Sequence, residues 1–323
     1  MRFSPFGFMG NRYKPGNIEL MFDITKYTES STQVYDINIF SNGDIGIAGD
    51  QVTKPGTVSG GMAIYDTNGN WLTGVYQDFG RRAPNNEEVR SVDRLNDGKY
   101  AISSQATQWS GILAPNITTT RLVKLTSGCT YESDIYNPDF RPQTVRNTTN
   151  FGILAVGNFT GNYYSSSGST FTGLNGTIPT NFNIQSDGKI VFCTNVGLKR
   201  YNTNASLDTG FTCSFTGTTD DVVFQSDGKI VCVGNGVPNR ITRLNTDGST
   251  DTTYSGVTSG FTTGATYAAQ PMSCTIDSQN RVIVGTNTSM KYNGVSINGI
   301  VRLDTTGNID PTINFVLIFL LFE

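Results

Sequence analysis

The chain has 323 residues, a net charge of −3 and a charged fraction of 15%, well below the roughly 25% of an average soluble domain. Histidine is absent, which removes the commonest general base and the usual zinc or copper ligand. No run of Lys and Arg could follow a phosphate backbone. These features argue against most enzymes, against histidine-based metal sites and against nucleic acid as a partner.

Residues 1–33 lie outside any repeat and carry the apolar side chains Phe3, Phe6 and Phe8. They lack the apolar core of about 7 to 15 residues that a signal peptide needs, so we expect no secretion by that route. The segment is too short to form a core. It is either an arm that docks on a partner or a segment that packs on, or completes, the rest of its own chain.

Six stretches along the chain read as an apolar strand, a tight turn and a second apolar strand, which predicts β-hairpins. Their turn positions, 37 to 55 residues apart, are Gly43, Gly98, Phe151, Gly188, Gly228 and Asn280. Gly and Asn accept the positive φ that such a turn requires, whereas Phe accepts it poorly. We therefore expect a different turn in the third copy.

A second motif alternates with the first and reads strand, Asp or Asn, two residues, Gly, strand. Asp66, Asn202, Asn245 and Asp304 occupy its first turn position, a residue choice typical of type I turns. We expect their side-chain oxygens to bond the backbone of their own turns.

Each unit thus contains two hairpins, or four strands. Six such units cannot bury their faces alone, but they can when they stack radially. The sequence predicts an all-β protein, a β-propeller of about six four-stranded blades over residues 34–315, followed by a short apolar tail, 316–323. A seventh blade built from residues 1–33 is an alternative.

The repeat resembles the delta-60-type β-propeller repeat. The resemblance rests on Gln225–Ile230 (QSDGKI) and Arg243–Asp251 (RLNTDGSTD), and on the similar Arg302–Asp310 (RLDTTGNID). It implies a propeller architecture over residues 34 to about 315 and says little about function. The third and fourth repeats lose turn residues, and the first lacks the Arg.

Three groups of residues could carry chemistry. Cys193 and Cys232 lie inside apolar strand runs, so we expect buried, reduced thiols. The oxygens between Asn245 and Asp251 have roughly the spacing of a calcium loop but lack the pattern of an EF-hand, and turn chemistry explains them without a metal.

Asp66–Trp71 (DTNGNW) resembles the turn of sialidase-like propellers, although its spacing differs. Those enzymes also need clustered arginines, and nothing in the sequence brings Arg81, Arg82, Arg90, Arg94 and Arg121 together. We expect no catalytic residues and no cofactor.

Exposed aromatic residues in polar loops are the candidate ligand contacts, since loops carry function more often than strands do. They are Trp71, Trp109, Tyr163 and Tyr164. Packing over neighbouring blades is the competing interpretation of each. The C-terminal run Phe315–Phe322 is apolar but far shorter than the about 20 residues of a membrane span. Phe315 and Phe319 join Phe3, Phe6 and Phe8 as candidate assembly contacts.

The function predicted from these features is a non-enzymatic structural or binding propeller. We expect a virion component of the tail or fibre apparatus of a bacteriophage, present in multiple copies and engaging neighbouring virion proteins or a host surface receptor. The first alternative is a secreted or surface-exposed bacterial propeller that binds glycan. The second is a sialidase-like glycoside hydrolase.

Overall fold

The computed structural model describes residues 34–311, except 53–59, 68–69, 75–88, 105–107, 112–113, 119–121, 137–140, 159–162, 172, 175–176, 263–268, 288 and 298. Every sheet in this part of the chain is antiparallel and six of the sheets follow one another along the sequence. The predicted arm 1–33, the tail 316–323 and the alternative seventh blade lie outside the described residues.

The first two sheets, blades 1 and 2, have four strands each. Blade 1 is formed by β1 (Val34–Ile39), β2 (Ile45–Val52), β3 (Gly60–Tyr65) and β4 (Trp71–Gly74). Blade 2 is formed by β5 (Val89–Arg94), β6 (Tyr100–Ser104), β9 (Leu122–Leu125) and β10 (Tyr131–Tyr136). Between β6 and β9 the chain makes a separate two-stranded sheet from β7 (Gln108–Gly111) and β8 (Ala114–Thr118).

The next four sheets, blades 3 to 6, have three described strands each. Blade 3 contains β11 (Arg141–Thr148), β12 (Gly152–Asn158) and β13 (Tyr163–Ser165), and blade 4 contains β14 (Pro179–Ile184), β15 (Ile190–Thr194) and β16 (Gly197–Tyr201). Blade 5 contains β17 (Asp221–Phe224), β18 (Ile230–Val233) and β19 (Ile241–Leu244). A small sheet pairs β20 (Phe261–Thr262) with β23 (Met290–Tyr292) and β24 (Val295–Ile297), while blade 6 contains β21 (Pro271–Ile276), β22 (Val282–Thr286) and β25 (Ile300–Leu303).

The predicted fourth strand is reduced in blades 4, 5 and 6 to one isolated bridge each. These bridges join Tyr201 to Leu207, Leu244 to Thr250 and Leu303 to Ile309. The next residue in each case is a buried Asp whose backbone N–H returns to the carbonyl of an Arg on the third strand. Because the chain turns inward to bury that carboxylate, it cannot continue as a strand. These blades therefore keep three full strands and a single bridge in the place of the fourth.

The turns of the first motif follow the backbone rule on which they were predicted. Gly188, Gly228 and Asn280 have φ values of 82°, 83° and 62° respectively, all in the left-handed region. In the third copy the positive φ moves from Phe151 to Gly152, and the hydroxyl of Thr148 accepts a hydrogen bond from the Phe151 N–H at 3.0 Å. The expectation of a different turn there is confirmed.

The second turns are confirmed in outline. Asp66 accepts a bond from the Asn70 N–H, and Asp304 accepts bonds from the backbone of Thr306 and Asn308. Asn202 and Asn245 differ, because their amides donate to a serine hydroxyl four residues later rather than accept from the backbone.

Apolar layers between successive blades form the core. Each of five clusters takes side chains from two neighbouring blades, from blades 1 and 2 through to blades 5 and 6. Between blades 3 and 4 the Phe171 ring lies 5.0–5.2 Å from the rings of Phe151, Phe192 and Tyr201. Burial of apolar area stabilises the fold by about 25 cal/mol per Å². The packing between blades also fixes the orientation of each inner strand relative to the central axis.

Candidate functional site

The inner strands of all six blades line one central channel. β1, β5, β11, β14, β17 and β21 each contribute side chains to a cavity of about 540 Å³. Cavities of roughly 300–1,000 Å³ commonly hold small molecules. Since residues from blade 1 and blade 6 face the same cavity, the six sheets surround a common axis, which is the arrangement of a β-propeller.

One polar position recurs in every inner strand, seven residues before the first-motif turn position. It is occupied by Asp36, Ser91, Thr144, Asn181, Asp221 and Ser273, and all except Ser91 line the channel. The next residue is apolar in every blade, and in blades 2 to 6 it contributes to the layers between blades. Sequence reasoning missed this ring of polar side chains, although aligning the six copies on their turns would have revealed it.

Hydrogen bonds join neighbouring blades along this ring. Asn38 of blade 1 donates to Asp93 of blade 2 at 2.8 Å, and Asp93 accepts from the Asn147 N–H of blade 3 at 2.6 Å. Thr144 donates to Asn181 at 3.1 Å. Asn181 in turn donates to Asp221 at 3.0 Å, so the bonds run from blade 1 through to blade 5.

The chain of bonds continues to blade 6, where the Cys274 N–H donates to Asp221 at 2.9 Å. Most donors of the ring are thus used to hold one blade to the next.

Arg146 connects blade 3 to blade 1 inside the channel. Its Nη1 and Nη2 donate to Oδ2 and Oδ1 of Asp36 at 2.8 and 3.1 Å, and Nη1 also donates to the Ser91 hydroxyl at 2.7 Å. Ser91 itself donates to Asp36 at 2.5 Å. Bidentate bonds between Arg and a carboxylate are among the strong polar contacts in proteins. This group therefore binds three blades together and neutralises its own charges.

Two adjacent carboxyl groups on blade 5, those of Asp220 and Asp221, also line the channel. Burial raises the pKa of Asp220 to about 6, and burial likewise raises that of Asp221 to about 6 although its hydrogen bonds oppose the shift. Asp220 Oδ2 is shielded from solvent and has no hydrogen-bond partner among the described residues. Neither carboxylate forms an ion pair with a Lys or Arg in the described part of the chain. Carboxyl groups with raised pKa values in a cleft are typical of functional sites.

The charged residues of the repeat signature have a structural role away from the channel. Arg200, Arg243 and Arg302 bond, through Nε, the Asp eight residues later at 2.8, 2.6 and 2.8 Å. A further Lys or Arg from the same blade binds the same carboxylate. The pairs made by Arg200, Arg243 and Arg302 are nearly fully buried, whereas the second cation is partly exposed. Together they tie the end of each blade to its third strand.

The same contacts explain the oxygens that resemble a calcium loop. Asp251 Oδ2 accepts from Arg243 and Lys229, and its Oδ1 accepts from the backbone and hydroxyl of Thr253. The arginine also donates to the Thr305 carbonyl of the next blade at 2.6 Å. Among the described residues no three His, Cys, Asp or Glu side chains are placed to hold a metal ion.

Of the four aromatic residues predicted as ligand contacts, Trp71, Tyr163 and Tyr164 lie apart from the channel lining. Trp71 on β4 packs edge-on against Tyr65 with ring centroids 5.6 Å apart. The Tyr163 hydroxyl accepts a bond from the Phe171 N–H at 2.7 Å, and Tyr164 packs against the layer between blades 2 and 3. Trp109 lies in β7. Their ligand role stays a prediction.

The remaining predicted positions divide between described and undescribed parts of the chain. Phe3, Phe6, Phe8, Phe315 and Phe319 lie outside the described residues, as do Arg81, Arg82 and Arg121. Arg90 lines the channel, whereas Arg94 does not. The structure therefore places Arg90 and Arg146 in the channel, a pair that the sequence did not bring together.

The cysteines are free, and all except the half-buried Cys213 are buried. Burial raises the pKa of the Cys129 thiol to about 12 and those of Cys193, Cys232 and Cys274 well above the usual range. Thiols of this kind are inert packing groups, as predicted for Cys193 and Cys232. In the described part of the chain no helix is long and apolar enough to cross a membrane.

The protein is a β-propeller built from sequence repeats. Residues 185–211, 225–254 and 280–312 match the β-propeller family described as a domain of unknown function, DUF5122. These segments fall in blades 4 to 6 and begin just after the inner strand of each blade. No curated protein matches the chain.

Similar solved structures are propellers of low sequence identity. Virginiamycin B lyase from Staphylococcus aureus is 16% identical with a TM-score of 0.56, and the match covers 88% of this chain and 85% of the lyase. The extracellular domain of a putative one component system from B. thetaiotaomicron is 13% identical with a TM-score of 0.51. That match covers 88% of this chain and 34% of the other. At such identities the likeness concerns the fold alone.

Proposed function

We propose that this propeller is a non-enzymatic binding scaffold of a bacteriophage virion, located in the tail or fibre apparatus and engaging neighbouring virion proteins or a host surface receptor. The observation that carries the non-enzymatic part is the use of the recurring charges. Asp208, Asp251 and Asp310 are consumed by internal ion pairs, and the Arg146–Asp36 pair is satisfied within the channel. Charged groups held in internal ion pairs stabilise the folded propeller and are poorly placed to act on a substrate.

The likeness to a lyase does not carry its chemistry to this chain. A variant of that lyase in which a histidine is replaced by alanine is catalytically inactive. This chain has no histidine, so it cannot supply the same group.

An exterior location is supported by composition and by one of the similar folds. A low charged fraction with abundant Gly and a neutral polar surface suits a protein outside a cell, and one similar fold is an extracellular domain. The apolar ends of the sequence would supply the contacts with neighbouring virion proteins, with Phe3, Phe6, Phe8, Phe315 and Phe319 as their candidate residues.

Quantitative mass spectrometry of purified particles tests the proposal. We expect this chain in a fixed number of copies per particle that matches the symmetry of the tail. Its absence from purified particles would contradict a virion role. The alternative of a surface or secreted glycan-binding propeller, with Trp71, Trp109, Tyr163 and Tyr164 as contacts, would then be favoured by tight binding of the isolated chain on a glycan array.

A further inference from the structure

The bonds between blades leave the channel rich in hydrogen-bond acceptors on the side of blades 4 to 6. Thr180 donates its hydroxyl proton to the Thr219 carbonyl at 2.7 Å, and Asn183 donates to the Val222 carbonyl at 3.1 Å. Asn181 donates to Asp221. The Asn183 oxygen accepts only the Ile184 N–H and keeps a free lone pair, as does the Thr180 hydroxyl oxygen. Asp221 already accepts from Asn181 and from the Val222 and Cys274 N–H groups, so its attraction for a further donor rests mainly on its charge. A ligand that donates hydrogen bonds is therefore complementary to this wall.

The charge of the lining points in the same direction. Its ionisable groups are Asp36, Asp93, Asp220 and Asp221 against Arg90 and Arg146. Arg146 is neutralised by Asp36, and the Arg90 guanidinium lies 3.9 Å from the centre of the Tyr35 ring. Asp93, Asp220 and Asp221 form no ion pair within the described residues, although the charge of Arg146 acts on Asp93 and Asp221 at longer range. The lining therefore carries more negative than positive charge, and Asp220 and Asp221 are its two adjacent carboxylates. Buried carboxylates without a cation are costly.

We propose that the central channel binds a small ligand carrying a protonated amine, of about the size of an amino sugar, with its ammonium group beside Asp221. An ammonium offers three donors and no acceptor, and its bonds to a carboxylate are strengthened by charge. The cavity of about 540 Å³ is large enough for one or more sugar rings. Phosphate, sulfate and carboxylate ligands, which only accept, are disfavoured. This inference rests on the proposed binding function and gives its ligand class.

Isothermal titration calorimetry of the full chain at pH 7 tests the proposal with three probes. Glucosamine, glucose and glucuronate share a ring and differ in carrying a positive, zero or negative charge. We expect glucosamine to bind at least about tenfold more tightly than glucose, and glucuronate to bind most weakly; tenfold corresponds to about 1.4 kcal/mol.

Asp221→Asn should weaken glucosamine binding about tenfold or more and leave glucose binding less affected. Glu132→Gln is the matched control, since it removes one negative charge from the exterior, where Glu132 pairs with Lys99 and Lys124. This control should bind glucosamine like the unchanged chain. Asp220→Asn, which breaks no ion pair and no bond between blades in the described part of the chain, should act in the same direction if Asp221→Asn unfolds.

Equal binding of the three probes, no binding of glucosamine, or tighter binding of glucuronate would overturn the inference. So would unchanged glucosamine affinity in a folded Asp221→Asn or Asp220→Asn variant. The virion proposal fails separately: its test is presence in particles, which does not depend on glucosamine binding.

Discussion

Arg146 on β11 binds both carboxylate oxygens of Asp36 on β1, at 2.8 and 3.1 Å, although 110 residues separate them. Blade 2 lies between the two strands and contributes the Ser91 hydroxyl to the same group. The ion pair therefore joins the first and third blades of the ring directly. It is the longest-range polar contact along the chain described above, and it lies inside the candidate site.

Arg146→Met should lower the free energy of unfolding by about 2–4 kcal/mol, because it leaves the mostly buried Asp36 carboxylate without its cation. Urea unfolding at pH 7 measures the loss. The double variant Asp36→Asn with Arg146→Met should recover part of it, with a coupling energy of about 1 kcal/mol or more between the two sites. Simple additivity of the two single losses would contradict a direct contact.

Asp251→Asn should destabilise the chain by about 3–5 kcal/mol, since it leaves the buried Arg243 without its carboxylate. The side chains of Asp251 and Arg243 are only 3% and 7% exposed. Its control is Asp227→Asn in the exposed turn before Lys229, where an amide oxygen can still accept the Lys229 N–H. That change should stay within about 0.5 kcal/mol. Equal effects of the two substitutions would show that the ion pair is not structural.

The pH dependence of stability should reflect the channel carboxyls. The pKa of Asp220 is about 6 in the folded chain against 3.8 for its ordinary value. The folded state therefore holds the proton more tightly, and this stabilising contribution is complete below pH 3.8 and lost as pH rises through 6.

Asp220→Asn removes the ionisable group and therefore the loss of stability that its ionisation causes at higher pH. Relative to the unchanged chain, the stability of the variant should rise between pH 4 and pH 7.5 by about 1–3 kcal/mol. Chemical unfolding at both pH values checks it. Comparing the two pH values cancels any constant cost of the new amide. A difference that does not change with pH would contradict the raised pKa.

The sequence revealed the repeat because its turns need particular backbone conformations. The turns at Gly188, Gly228 and Asn280 could be predicted because few residues accept a positive φ. For the same reason the positive φ of the third turn lies at Gly152 and not at Phe151. The number of blades follows from counting these turns. The burial of the strands that carry Cys193 and Cys232 could also be predicted locally, because each strand is a continuous apolar run.

The candidate site was not readable in this way. Its recurring position is filled by residues as different as Asp36, Thr144 and Asn181, which share polarity but no motif. Their partners lie 37 to 110 residues away in other blades, so the contacts exist only once the blades stack. The reduced fourth strands were also hidden, because they depend on ion pairs such as Arg243–Asp251 that form in the folded blade.

Cross-linking mass spectrometry of intact particles is the most direct test of the central claim, that this propeller is a binding scaffold within a virion. Lys14 and Lys26 precede the described blades, whereas Lys189 and Lys229 pair with Asp208 and Asp251 inside blades 4 and 5. We predict cross-links from Lys14 or Lys26 to another virion protein, and links within the chain alone from Lys189 and Lys229. Particles that lack the chain, or in which Lys14 and Lys26 link only to their own propeller, would contradict it.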